Sequence, residues 1–465
     1  MARRTFPTLG TGGPGGSRYA VCRPCVGKSL HPYLNLVLNC TPAPRLLRRR
    51  RGAYFSVLIL QFSIFNFQFL LPTPALPQSS PPVEAFPYRQ PPVDYFSNDL
   101  ADPVSKLRER IDKGEVRLVF EAGTGYLRSF LKSLDVPLDS QMLVFARNSV
   151  NARIISPDNP RALYFNDSVY VGFVPGAPFL EISAVDPHKG AIFYTLPQKE
   201  DQPAKLAREE SCLLCHASNN SLNVPGHLVR SFVTDAQGNP ARGYSKVSDA
   251  TPLAQRWGGW YVTGDFGDQP HLGNLSTTAD LLEYDRNRDG PGRPVDLKKR
   301  LDLSKYPAAH SDIVALLVHD HQTNLHNLIA RVNYEHQYQK PSGSEDLLLR
   351  ALLFVDEAPL DHALLGSSAY ESWFAKQGPR DKQGRSLRQF DLETRLFKYR
   401  LSYLIYSAAF DNLPAPVKNR VYRRLFDVLT AADPPEPFNK LPRAERTAIV
   451  EILRDTREGL PEYWK

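Results

Sequence analysis

The chain reads as an α+β protein, with a β-rich first half carrying a haem-attachment motif and a helical second half. Two observations predict it. From about 141 to 270 the sequence breaks into short β-branched and aromatic runs separated by turn clusters. After Pro307 the apolar residues recur every three or four positions instead. This order, strands and then helices, is that of an α+β body.

The elements follow in order. ADPVSKLRERIDK (101–113) and residues 125–134, closed before Pro137, are expected as helices. MLVF, ALYF, VYVGFV, FLEISAV and AIFYTL are expected as strands, parted by SPDNP, VPGAP and DPHKG. HLVRSFV, closed by DAQGNP, and GGWYVTG have the same character. Helices are expected over 311–334, 344–356, 389–410, 415–432 and 442–456. The body therefore divides into a β-rich haem c-binding region, 101–306, and a helical region packed on it, 307–465.

Charge excludes one class of partner. The formal net charge is +8, but residues 1–77 hold ten basic side chains and no acidic one. Residues 78–465 carry 47 basic and 49 acidic residues, so the body is close to neutral and offers no basic groove for nucleic acid. The basic leader has its own reading. RLLRRRR (45–51) precedes a 19-residue apolar stretch, Ala53–Leu71, and a small-x-small site at Thr73-Pro74-Ala75. That pattern, spanning 45–77, predicts a secretory signal peptide or a retained membrane anchor, with a buried helix as the third alternative. The first two place the body in the periplasm or tethered to a membrane facing it. Residues 1–44, rich in Gly, Pro and Arg, are expected to be a disordered extension or the product of an over-long gene start. Residues 78–100 are dense in proline and read as a stiff linker.

One motif carries chemistry. Cys212-Leu213-Leu214-Cys215-His216 is C-x-x-C-H, the attachment signature of c-type haem. Two thiols so spaced match the two vinyl groups on one side of a porphyrin, and the adjacent imidazole reaches the iron. The competing readings are a disulfide, a thioredoxin-like redox pair and a zinc half-site. Zinc lacks further cysteines, since residues 78–465 contain no others. One covalent haem c is therefore expected, with His216 as iron ligand. For the second axial position Met142 is the foremost candidate, the only methionine besides Met1. The alternatives are His227, His271, the trio His319, His321 and His326, or an open site. Arg230, Arg256, Trp257 and Trp260 carry the donors that haem propionates need, although RWGGWY also suits a packing corner. Asp285, Asn287, Asp289, Gly290 and Asp296 imitate an EF-hand loop, but Asp stands where Glu belongs and three arginines oppose a cation, so an exposed turn is expected.

Several blocks, CLLCHAS, SQMLVFAR, ALYFNDSVYVGFV, VPGHLVRS, RWGGWYVTG, SDIVALLVHDHQTNLHNL, SYLIYS and GLPEYW, resemble a group of large exported bacterial proteins described as cytochrome c domain-containing. The likeness covers most of 100–465. It implies covalent haem at Cys212 and Cys215, His216 on the iron and an electron-transfer role, and it assigns no substrate. Unlike small soluble cytochromes c, this chain holds the motif mid-chain after strands, so their fold is not expected. The leading expectation is a mono-haem electron carrier serving a redox partner protein. A peroxidase-like haem oxidoreductase and a haem-based sensor are the alternatives.

Overall fold

Residues 85–201 and 203–465 are described by the structure, a computed structural model. The expectations for the extension 1–44, the signal or anchor 45–77 and the start of the linker lie outside the described residues. Helix α1 (Pro103–Asp112) begins at Asp102, whose carboxylate accepts from the N–H groups of Val104 and Ser105, and α2 is Leu127–Ser133. Next comes a six-stranded antiparallel sheet in which each strand pairs with the next along the chain. Its strands are β1 (Met142–Val144), β2 (Arg161–Phe165), β3 (Val169–Phe173), β4 (Phe179–Asp186), β5 (Gly190–Pro197) and β6 (Ala207–Arg208). One helical turn, α3 (Leu213–His216), leads to a separate hairpin of β7 (Arg230–Thr234) and β8 (Pro240–Lys246), and then to α4 (Thr278–Arg286). The rest is helical: α5 (Ile313–Gln337), α6 (Ser344–Leu352), α7 (Tyr370–Lys376), α8 (Ala408–Asp411), α9 (Ala415–Thr430) and α10 (Arg443–Thr456). The α+β expectation holds, with strands in the first half and helices in the second.

The sheet is buried on both faces, which is why its strands read as nearly continuous apolar runs rather than as alternations. Register makes the two faces explicit. Phe165, Tyr170, Ser183 and Phe193 pair in turn and form one row across one face, while Tyr164, Val171, Ile182 and Tyr194 form the matching row on the other. The second row joins the core that contains α1 and α2 residues such as Val104, Leu107 and Phe130. Phe165 and Tyr170, on the first face, share a core with α5. That helix has 25 residues and is buried almost all round, so apart from its ends it has no solvent face. No helix among the described residues is long and apolar enough to cross a membrane.

Three expectations are corrected. Residues 85–100 are not a free linker: Phe86, Val93 and Tyr95 are buried, and the Tyr95 hydroxyl donates to the Ala191 carbonyl at 2.8 Å. The aromatic residues between the prolines account for this, since they give the segment apolar surface to bury. Residues 389–410 are not one helix. The Asp391 carboxylate accepts from the N–H groups of Glu393, Thr394 and Arg395, and Ser402 caps a short 3-10 turn at Tyr403–Tyr406. GGWYVTG is not a strand but a corner joined to β1 by an isolated bridge between Val144 and Trp260. A Cβ on Gly258 would stand 2.6 Å from the Phe232 carbonyl oxygen, so glycine is what permits that approach.

Candidate haem-attachment site

The motif directly follows β6, at one edge of the sheet. Cys212 is the N-cap of α3, whose single turn ends at His216. Both cysteines are free thiols, Cys212 half-buried and Cys215 exposed, and Leu214 is 86% exposed. The outer side of the motif is therefore open for a flat macrocycle to lie against. Burial, with the carboxylates of Glu209 and Glu181 nearby, pushes the Cys212 thiol up to about 12. A redox-active pair needs the opposite shift, toward thiolate, so the thioredoxin-like reading is disfavoured.

His216 is gripped from two sides by the loop ten residues further on. The Gly226 N–H donates to the His216 carbonyl at 2.8 Å, and the Gly226 carbonyl accepts from His216 Nδ1 at 2.9 Å. A carbonyl can only accept, so the proton is on Nδ1 and Nε2 keeps its lone pair. Nε2 makes no hydrogen bond to the described residues. Burial holds this imidazole down to about 4, against the hydrogen bond to Gly226, and the positive charges of Arg230 and Arg161 act in the same direction as burial. A neutral imidazole with one nitrogen oriented and the other vacant is the form that binds a metal. Phe193 of β5 supports the ring, 4.8 Å between centroids.

The Gly226 loop is itself fixed. Asn327 of α5 accepts from the His227 N–H at 2.8 Å and donates to the His227 carbonyl at 2.8 Å. The Pro225 carbonyl accepts from the Ala191 N–H at 2.9 Å, which needs a bare α-carbon next door: a Cβ on Gly190 would stand 2.4 Å from that oxygen, and its φ is +78°. Helix α5 and strand β5 thus set the direction of the His216 ring through one loop.

The other expected residues fare unequally. Arg230 lies near His216 and makes no ion pair with any described residue, so its donors are available to an anionic group. Arg256, Trp257 and Trp260 are corrected as propionate donors, because their N–H groups are committed inside the core. Arg256 donates to Asp320 and to the carbonyls of Thr251 and Asp249; Trp257 donates to Asp320 at 3.1 Å and Trp260 to the Arg230 carbonyl at 3.0 Å. Met142 is corrected as axial ligand. It is fully buried on β1, the far edge of the sheet, five strand steps of roughly 4.8 Å from β6. Asp285 of the imitation EF-hand loop is held by Arg242 at 2.7 Å.

The histidines sort by their hydrogen bonds. His321 is excluded from the iron, since Nδ1 meets Asp249 at 3.2 Å and Nε2 meets Ser402 Oγ at 2.8 Å. That Asp-His-Ser row was not anticipated, and nothing in local sequence joins residues 72 and 81 positions apart. His321 and Ser402 are 0% exposed, with Phe354 stacked on the imidazole at 4.1 Å, so no substrate reaches the hydroxyl and the row serves the core. His271 accepts from the Gly273 N–H at 3.0 Å and is enclosed by Phe266 and Trp257. His227, His319 and His326 gather around Tyr170 on the sheet face that α5 covers, with ring centroids 4.2, 5.6 and 6.2 Å from it. Among the described residues no group of three or more His, Cys, Asp or Glu side chains is arranged to hold a metal ion by itself.

No family model matches the chain, and no curated protein or solved structure matches it.

Proposed function

We propose that this chain is a mono-haem c-type cytochrome that passes single electrons to a redox partner protein outside the cytoplasm. The observation that carries the reading is the reciprocal pair between His216 and Gly226, which orients a neutral imidazole beside two free thiols on a single helical turn. Cys212 and Cys215 would hold the haem as thioethers, His216 Nε2 would bind its iron, and Arg230 would meet a propionate. When bound, the haem supplies a one-electron couple, which neither thiols nor imidazoles offer at ordinary potentials. The chain's own part is to orient the imidazole through Gly226, to keep its Nδ1 proton in place and to shield its inner side with Phe193. The leader pattern at 45–77 supports export, because thioether attachment and an export signal belong to the same compartment.

The test is expression of the full chain with cytochrome maturation machinery, followed by denaturation and a pyridine haemochrome spectrum. Haem should stay with the denatured chain and be lost in Cys212→Ala/Cys215→Ala. Haem that washes out of the wild type on denaturation would refute covalent attachment.

A further inference from the structure

We infer that Tyr170 is a redox-active tyrosine, oxidised to a neutral radical while its proton moves to His326, and coupled electronically to the haem site through Phe193 and His227. The inference rests on the cytochrome reading and adds a second redox centre to it.

Hydrogen bonding assigns the proton. Gln322 donates from Nε2 to the Asn166 carbonyl at 2.8 Å, and a carbonyl only accepts, so this end of Gln322 is its amide NH2. The same Nε2 lies 2.8 Å from the Tyr170 hydroxyl and therefore donates to the phenol oxygen. Tyr403 completes the orientation by donating to Gln322 Oε1 at 2.5 Å. With its oxygen already accepting, Tyr170 directs its own proton along the remaining contact, to His326 Nδ1 at 3.0 Å. Burial keeps His326 neutral. The contact gives the Tyr170 proton an acceptor only when the neutral imidazole carries its hydrogen on Nε2, which leaves the Nδ1 lone pair to receive it. Burial also raises Tyr170 far above the ordinary phenol range, which rules out a standing phenolate and makes loss of an electron depend on simultaneous loss of the proton.

Position supplies the electronic route. From His216 the ring centroids step 4.8 Å to Phe193, 6.4 Å to His227 and 4.2 Å to Tyr170. Tyr170 is only 7% exposed, so a radical there is kept from solvent. The phenol O–H bond breaks and an N–H bond forms on His326, while one electron leaves Tyr170 toward the haem. The terminal oxidant would be a peroxide, which with two solvent protons takes one electron from Tyr170 and one from ferrous haem iron, left ferric, and becomes two waters. On re-reduction the proton returns from His326 to the phenol.

The experiment mixes the haem-loaded full chain, first reduced and freed of reductant, with hydrogen peroxide and freezes it within milliseconds for electron paramagnetic resonance. A tyrosyl signal is expected that narrows with ring-deuterated tyrosine, disappears in Tyr170→Phe and persists in Tyr306→Phe, whose hydroxyl donates to the Pro160 carbonyl away from this network, with the resting haem spectrum unchanged in both variants. Should Tyr170→Phe not fold, high-field spectra of His326→Gln are expected to show a shifted signal, because the hydrogen bond to the radical oxygen is altered. A signal that survives Tyr170→Phe, one unaltered by His326→Gln, or none from haem-loaded wild type overturns the inference and leaves the cytochrome reading standing. A chain without covalent haem overturns both.

Discussion

Gly226 offers its peptide group to His216 in both directions, and the direction of that imidazole depends on it. A Cβ at Gly226 would stand 2.3 Å from Asn327 Oδ1. Gly226→Ala must therefore displace either the Asn327 clamp or the carbonyl that holds Nδ1. The expected result is retained thioether-bound haem with an altered axial spectrum and a loss of about 1–3 kcal/mol in stability, read by denaturant titration. Met142 makes the opposite case. It fills the core at the far edge of the sheet, so Met142→Leu should leave the haem spectrum and potential unchanged and cost less than about 1.5 kcal/mol. A changed axial ligand field in that variant would mean that the sulfur reaches the iron. Sequence alone singled out Met142 because a lone methionine and a haem motif invite pairing. Strand order, which no local pattern encodes, separates them.

Strand β5 and helix α5 act on the motif from a distance. Asn327 satisfies both the N–H and the carbonyl of His227. Asn327→Leu strands two buried peptide groups, each worth about 1–3 kcal/mol, and should lower the unfolding midpoint while loosening the His216 ring. Thermal unfolding of the haem-loaded protein, with redox titration alongside, checks both effects; an unchanged midpoint would show that the clamp is idle. At this scale much was legible beforehand. The runs of β2 to β5 and the three-four spacing of α5, α9 and α10 announce themselves, because burial of a whole face or stripe leaves a regular mark on the sequence. Residues 389–410 carry similar apolar spacing but fold as capped turns, since Asp391 and Ser402 bind the backbone locally and compete with helix. The loop that orients His216 was not legible as such, because its partners lie ten and about a hundred residues away.

Across the whole molecule, buried imidazoles set the response to acid. His319 and His326 are held down to about 3 and His271 to about 4, and His227 lies well below the ordinary range, all chiefly through burial. Unfolded, these groups protonate near 6.5; folded, they do not until much lower pH. The unfolded chain therefore binds more protons between about pH 6.5 and 3, and stability is lost as pH falls through that window. Asp320 and Glu357, raised to about 7 by burial, and Asp102, raised in the same way, act in the opposite sense, but fewer carboxyls are raised than imidazoles are lowered. Urea midpoints should fall from pH 7.5 to pH 5, and a flat or rising midpoint would mean that the imidazoles are not buried as neutral groups.

The attachment proposed at Cys212 and Cys215 is covalent, so intact-protein mass measures it most directly. Full chain produced with maturation machinery, then denatured and reduced, should weigh one haem more than its polypeptide, and Cys212→Ala/Cys215→Ala should weigh the polypeptide alone. A bare polypeptide mass for the wild type, or a mass two hydrogens lighter before reduction, would show that the two sulfurs carry no haem.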